Sequence, residues 1–193
     1  MRAKKYFYSA KTTFSIFFFG QISINFTSPK ITCYLFINFK KEVTMSANDV
    51  LKLNDAVIDS WNRHDTKKFL SYCDENIVWR DTGSPEPLKG KDGAGGFFNM
   101  WTTAFPDFRI KQLNKVVGDD TIAVEIEFSG TNTGPLKMGD QPEIPATNRK
   151  VTNYGCYFGK VKNGKFVEVH TYPDMAGMMV ELGLQHELHT EHH

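Results

Sequence analysis

Residues 149–172 read RKVTNYGCYFGKVKNGKFVEVHTY, and this stretch decides the fold. Apolar and polar side chains alternate on both sides of Asn163-Gly164. An Asn-Gly pair between two alternating segments is a strong signal for a β-hairpin. The same period of two appears upstream of this hairpin. The sequence therefore predicts four consecutive antiparallel strands, at about 108–117, 121–131, 149–161 and 165–172, with a long polar loop at 132–148.

Helical patterns lie on either side of these strands. Val50, Val57 and Trp61 have helical spacing, and Ser46 or Asn48 can cap that helix. The pattern predicts helices at about 48–63, 66–73, 91–104 and 174–183, a short strand at 76–81 and a loop at 82–90. Strands and helices do not alternate, which favours an α+β fold over a parallel sheet. We expect a curved antiparallel sheet wrapped around helices, with an internal pocket at its open end.

Composition and charge narrow the function classes. Of the 193 residues, 40% are hydrophobic and 23% are charged, as in an ordinary globular protein. Residues 1–44 carry a net charge of +6, whereas residues 45–193 carry −5. The acidic body has no basic stripe to bind phosphates, so nucleic-acid binding is not expected. No apolar run approaches the ~18 residues of a membrane span, so no membrane partner is expected either.

The first 44 residues are treated apart from the domain. Five residue types with AT-rich codons supply 24 of these 44 residues: Phe, Ile, Lys, Asn and Tyr. Met45 is followed by Ser-Ala-Asn-Asp, which is typical of the start of a cytosolic protein. We interpret 1–44 as a non-domain extension of the gene model. The alternative is a signal segment whose apolar region is Phe14 to Gly20, although it is short. The folded domain is predicted at 45–185, followed by a His-rich polar tail at 186–193, for which no metal is expected.

Two cysteines lie in the body of the chain. Cys73 and Cys156 are far apart and neither belongs to a CxxC motif. They indicate buried free thiols in a reducing compartment, which predicts a cytoplasmic protein.

Five segments, in order, resemble one family. They are Trp61-Asn62-Arg63-His64-Asp65, Val78-Trp79-Arg80-Asp81-Thr82-Gly83-Ser84-Pro85-Glu86-Pro87-Leu88-Lys89-Gly90, Ala104-Phe105-Pro106-Asp107-Phe108, Gly130-Thr131-Asn132-Thr133-Gly134-Pro135, and Tyr172-Pro173-Asp174 with Gly177 and Leu182-Gly183. Together they resemble the SnoaL-like polyketide cyclases, within the nuclear-transport-factor-two-like (NTF2-like) superfamily. The resemblance covers 45–185 and implies a cone-shaped α+β fold.

The resemblance also implies a reaction and its partners. These cyclases close a ring by aldol condensation, in which a carboxylate removes a proton beside a carbonyl group. The resemblance implies a small hydrophobic ligand, no metal or other cofactor, and a homodimer formed through the outer face of the sheet.

This sequence departs from the family at the catalytic positions. The acid/base aspartate of the cyclases lies three residues before the Asp of the closing motif, where this chain has Thr171. The histidine and glutamine on the preceding strand correspond to Tyr157 and Gly155. A threonine hydroxyl is far too weak an acid to replace a carboxylate at neutral pH.

Strand alternation predicts which side chains face the pocket. Asp81 is the candidate base, with Thr171 and Tyr157 as further catalytic candidates. The predicted ligand-binding residues are Trp61, Trp79, Phe98, Trp101, Asn153 and Asp174. Most have a structural alternative: Asp81 can cap the turn at Thr82-Gly83 and Asp174 can cap the last helix, while Tyr157 and the aromatic residues can be plain core.

Two hypotheses about function remain open. The first is an enzyme of the polyketide-cyclase, isomerase or lyase type, which acts on a small hydrophobic carbonyl compound by cofactor-free acid/base chemistry. The second is a non-catalytic module of the same fold that binds a small ligand or dimerises. The fold alone cannot choose between them, since one fold serves many functions.

Overall fold

The computed structural model of the chain describes residues 22–23, 36–37, 45–137 and 142–184. The chain divides into two compact units, 1–42 and 43–193. In the first unit, strands β1 (Ile22–Ser23) and β2 (Phe36–Ile37) pair antiparallel. The proposed signal sequence and the His-rich tail lie outside the described residues.

The described residues of the second unit form four helices and one six-stranded sheet. In chain order its elements are α1 (Ala47–Asn62), α2 (Thr66–Ser71), β3 (Cys73–Asp81), β4 (Leu88–Lys89), α3 (Gly90–Ala104), β5 (Arg109–Val117), β6 (Thr121–Thr131), β7 (Lys150–Lys162), β8 (Lys165–Pro173) and α4 (Met175–Leu182). The strand order is β4-β3-β8-β7-β6-β5, and the sheet is curved and unclosed. The α+β prediction and the four consecutive antiparallel strands are confirmed.

One pairing differs from the predicted antiparallel sheet. β3 pairs with β8 in parallel, with Trp79 opposite Val169 and Asp81 opposite Thr171. The period of two predicts that a segment is a strand, but it carries no information about direction. Direction here follows from the return of the chain through α3 and the β5–β8 meander, which brings β8 alongside β3.

Two local boundaries also differ. Cys73, predicted at the end of the second helix, begins β3 because the Tyr72 carbonyl accepts a hydrogen bond from the Phe166 amide at 2.9 Å. The segment 82–90, predicted as loop throughout, contains β4, which pairs with β3. In both places, long-range sheet pairing outweighs local propensity.

Helix ends follow the capping residues that the sequence offers. Ser46 and Asp49 form a reciprocal capping box at the start of α1. Asp65 caps α2 by accepting the Lys68 amide at 2.8 Å. Gly183, with φ of 73°, ends α4 in the left-handed conformation that favours glycine. These caps fix where the helices begin and end against the sheet.

The core lies between the helices and the inward face of the sheet. An aromatic cluster dominates it, with Trp61 of α1 tilted 4.3 Å from Phe98 of α3, and Phe98 stacked 4.9 Å from Phe69 of α2. Such contacts add about 0.5–1.5 kcal/mol per pair beyond burial. No helix among the described residues is long and apolar enough to cross a membrane.

Candidate functional site

A cavity of about 110 Å³ lies between the aromatic cluster and the sheet. Seven of the nine predicted site residues line it: Asp81, Thr171, Tyr157, Trp61, Trp79, Trp101 and Asn153. Aliphatic side chains of the core, such as Val57 and Val169, complete the wall. A concave, largely apolar space with a few polar groups is the usual form of a small-molecule site.

The three catalytic candidates form one row across three strands. Thr171 of β8 lies opposite Asp81 of β3 on one side and opposite Tyr157 of β7 on the other. All three side chains point to the inward face of the sheet, so these paired residues lie next to one another on the cavity wall.

Asp81 both caps a turn and lines the cavity. One carboxylate oxygen accepts the Gly83 amide at 2.8 Å, while the other accepts the Thr171 hydroxyl at 2.5 Å. The turn-capping alternative and the cavity-facing prediction therefore both hold for this residue. Two donors hold the carboxylate in one orientation at the cavity wall.

Thr171 connects the carboxylate to the aromatic wall. Its hydroxyl accepts the indole N–H of Trp79 at 3.2 Å while it donates to Asp81. Asp81 thus places a carboxylate on the neighbouring strand, directly beside Thr171, the position at which the cyclases have their aspartate.

Tyr157 belongs to a polar network that sequence reasoning missed. Its hydroxyl donates to Asn54 Oδ1 at 2.5 Å, and Asn54 Nδ2 donates to Gln112 Oε1 at 2.7 Å. Gln112 and Lys115 both donate to Asp55 at the surface. Burial raises the pKa of Tyr157 well above its usual value, so this phenol stays protonated. Asn54 was detectable, since it lies four residues from both Val50 and Ile58 on the buried face of α1.

Two predicted ligand-binding residues lie outside the cavity wall. Phe98 is fully buried but packs under Trp61 and Phe69, whereas Phe97 and Trp101, four residues apart on α3, face the cavity. Adjacent helical residues point about 100° apart, so only one of the two phenylalanines can face the cavity. Asp174 instead caps α4 by accepting the Gly177 amide at 2.9 Å.

Asn153 lies elsewhere on the cavity wall, on β7. It is 3% exposed, and its side-chain nitrogen donates to the Asp174 carbonyl at 3.0 Å. This contact ties the cavity wall to the start of α4.

A second, open cleft of about 290 Å³ adjoins the cavity. Asp81, Phe97 and Trp101 line both spaces, and Ser84 and Lys137 add polar groups to the cleft. Asp81 therefore lies at the border between the apolar cavity and the cleft, which we call the mouth.

In the part of the chain that the structure describes, the other titratable residues near the sheet do not form a site. His170 bonds Glu168 at 2.9 Å and does not line the cavity. Cys73 lines the cavity, but burial raises the pKa of its thiol to about 12, which suppresses the reactive thiolate. Among the described residues, no group of three or more His, Cys, Asp or Glu side chains could hold a metal.

The family profile described as SnoaL-like polyketide cyclase matches residues 51–182. The chain belongs to the SnoaL-like polyketide cyclase family. This confirms the resemblance carried by the five sequence segments. No match is found among the curated proteins.

Solved structures with the same fold come from several bacteria. AclR, a candidate hydroxylase of Streptomyces galilaeus, is 20% identical with a TM-score of 0.63, over 72% of this chain and 84% of that one. A candidate SnoaL-like polyketide cyclase of Jannaschia sp. CCS1 is 15% identical with a TM-score of 0.64, over 76% and 99%. IdmH, a candidate polyketide cyclase of Streptomyces antibioticus, is 19% identical with a TM-score of 0.58, over 69% and 97%. At identities this low, the likeness shows only that the fold is shared. The activities for which these three proteins are named are also not all the same.

Proposed function

We propose that this SnoaL-like domain catalyses cofactor-free proton transfer on a small apolar carbonyl compound, with Asp81 as the base. One observation carries the proposal. Asp81 is a carboxylate at the mouth of an apolar cavity, and the Thr171 hydroxyl and the Gly83 amide fix its orientation. A positioned carboxylate beside a hydrophobic site is the equipment that such proton transfer needs.

The proposed step removes a proton from a carbon beside the carbonyl group. The C–H bond breaks, the proton goes to the Asp81 carboxylate, and the electron pair moves onto the carbonyl oxygen as an enolate. In a cyclase, the enolate carbon then attacks a second carbonyl, and the new alkoxide takes the proton back from Asp81. In an isomerase, the enolate instead regains the proton at another carbon. Trp61, Trp79 and Trp101 would hold the apolar part of the compound against the wall.

The first test is proton exchange with deuterated solvent. Small keto compounds that raise the melting temperature of the full chain would be selected, because a bound ligand stabilises the folded state. NMR would then follow loss of their α-protons in D₂O. We expect Asp81→Asn to bind these compounds but to exchange protons about 10²–10⁴-fold more slowly, the usual contribution of a general base.

A matched control separates chemistry from charge. Asp119→Asn changes an exposed carboxylate in the β5–β6 turn and should leave the rate unchanged. Equal exchange rates for wild type and Asp81→Asn would refute Asp81 as the base.

The second candidate function is a non-catalytic binding module, which one specific observation favours. Three potential donors on the cavity wall are already committed within the protein: the Trp79 N–H, the Thr171 O–H and the Tyr157 O–H. An enolate oxygen gains most of its stabilisation from donors aimed at it. Ligand binding with no exchange in either protein would favour this candidate.

The partner we propose at the outer face of the sheet is a second copy of the chain. Tyr154, Phe158 and Tyr172 are exposed there, and the rings of Phe158 and Tyr172 meet edge-to-face at 5.9 Å. Exposed aromatic clusters are typical of interfaces. Sedimentation should give a dimer that Phe158→Lys converts to monomer, and a monomeric wild type at tens of micromolar would contradict it.

A further inference from the structure

Among the residues that the structure describes, the side-chain oxygen of Asn153 has no hydrogen-bond partner. Its nitrogen must be the atom that faces the Asp174 carbonyl at 3.0 Å, because two oxygens would not hydrogen-bond. Within the described part of the chain, nothing donates to the oxygen, although the residue is only 3% exposed. An acceptor without a donor in so buried a residue is open to a ligand or water.

This oxygen opens onto the cavity. Asn153 lines the cavity, and none of the described side chains has an enclosed polar atom that lacks a hydrogen bond. The oxygen is therefore in contact with open space, and the open space beside Asn153 is the cavity. The bond to the Asp174 carbonyl keeps the amide from turning, so the oxygen is held in place as an acceptor.

The remaining polar groups of the cavity also favour a donor on the ligand. The hydroxyl hydrogens of Thr171 and Tyr157 and the indole hydrogen of Trp79 are directed at protein acceptors. What these groups offer a ligand is mostly lone pairs. A ligand that supplies its own O–H fits this wall better than one with acceptors alone.

The position of Asn153 sets where that O–H must lie on the ligand. Asn153 and Tyr157 both face inward on β7 and are four residues apart, which is about 13 Å between their Cα atoms. Asp81 lies in the row of Tyr157, at the mouth. A ligand that reaches both groups carries its hydroxyl at one end and its carbonyl at the other.

We propose that the cavity binds hydroxyaryl ketones, single aromatic rings with a hydroxyl group at one end and a ketone side chain at the other, and that Asn153 Oδ1 accepts the hydroxyl hydrogen. The inference rests on the proposed function, because it places the ketone at Asp81. The apolar wall covers the ring, and the cleft beyond Asp81 takes the end of the side chain. The cavity volume of about 110 Å³ is below the roughly 150 Å³ of a cavity that binds benzene, so the cavity has room for no more than one ring.

Three matched ketones test the proposal on the wild-type full chain. The probes are 4-(4-hydroxyphenyl)-2-butanone, 4-phenyl-2-butanone and 4-(4-methoxyphenyl)-2-butanone, and calorimetry measures each Kd. We expect the hydroxy compound to bind about tenfold more tightly than the other two, the usual net effect of one buried hydrogen bond. Without a hydrogen bond to Asn153, the hydroxy compound should bind no better than the phenyl compound, because its hydroxyl group gives up its hydrogen bonds to water on binding.

Two variants assign the preference to Asn153. Asn153→Leu should bind all three ketones within about twofold of one another, whereas Thr152→Val, at the exposed neighbouring position on β7, should retain the preference. A preference that survives in Asn153→Leu would overturn the role of Asn153. If Asn153→Leu does not fold, the wild-type series alone decides, since equal affinities for the three ketones overturn the proposal.

Binding and turnover keep the two proposals distinct. α-Proton exchange of the hydroxy compound, compared between wild type and Asp81→Asn, reports only on the base. A hydroxyl preference without exchange would refute the proposed catalysis and support the binding proposal. Proton exchange without a hydroxyl preference would support the proposed catalysis and refute the binding proposal.

Discussion

Asp81 and Tyr157 occupy equivalent places on either side of Thr171, yet their surroundings differ. Both make a hydrogen bond of 2.5 Å, Asp81 with Thr171 and Tyr157 with Asn54. Asp81 lies half-buried at the mouth that the cavity shares with the outer cleft. Tyr157 is 8% exposed, and Asn54 behind it is fully buried. We infer that the mouth can exchange protons with a ligand, whereas the Tyr157 end is a fixed structural wall.

The largest effect on stability is expected at the Tyr157 end of the cavity. Asn54→Leu leaves the Tyr157 hydroxyl buried without an acceptor, and it removes the side-chain nitrogen that donates to Gln112. We therefore expect a loss of about 2–3 kcal/mol in the free energy of unfolding. Urea denaturation measures it.

The double variant Asn54→Leu/Tyr157→Phe is the matched control for this effect. It removes both partners, so it should cost less than the sum of the two single changes. Strict additivity would mean that the hydrogen bond contributes nothing, and the contrast between the two ends would then be lost.

A smaller effect is expected at the mouth. Thr171→Val removes the hydroxyl that bonds both Asp81 and Trp79, but the half-buried carboxylate can recover water. We expect a loss of about 1 kcal/mol in the free energy of unfolding, together with slower α-proton exchange, because the carboxylate loses one of its two orienting contacts. Thr171→Ser keeps the hydroxyl and should restore much of the rate. A loss of stability as large as that of Asn54→Leu would show that the mouth is as enclosed as the wall.

The remaining expected effect appears only at alkaline pH. Burial raises the pKa of Tyr157, so between about pH 10 and its folded value the unfolded chain releases a proton that the folded chain keeps. This contribution to stability is complete below pH 10 and is lost as pH rises, by at most about 1.4 kcal/mol per pH unit.

Tyr157→Phe should remove that part of the alkaline slope. Unfolding of both proteins would be compared at pH 9 and pH 11, where their other titrating groups, including Cys73, contribute equally. Parallel slopes for the two proteins would show that the phenol is not enclosed.

The site could be predicted from sequence only in part. Alternation along β7 and β8 correctly placed Asn153, Tyr157 and Thr171 on the inward face. It could not place Asn54 beside Tyr157, because that contact joins residues 103 positions apart. Nor could it choose between Phe97 and Phe98, since a small rotation of α3 exchanges their roles.

The amino-acid sequence by itself determined the family, the α+β class, the helix caps and the four consecutive antiparallel strands of this protein. These depend on local signals: periodicity, the Asn163-Gly164 turn, capping side chains and short motifs. Only the tertiary structure decided that β8 lies parallel to β3 and so brings Asp81 beside Thr171. The physical reason is that strand pairing satisfies backbone groups from distant parts of the chain, and no local pattern specifies which distant strand supplies the partner.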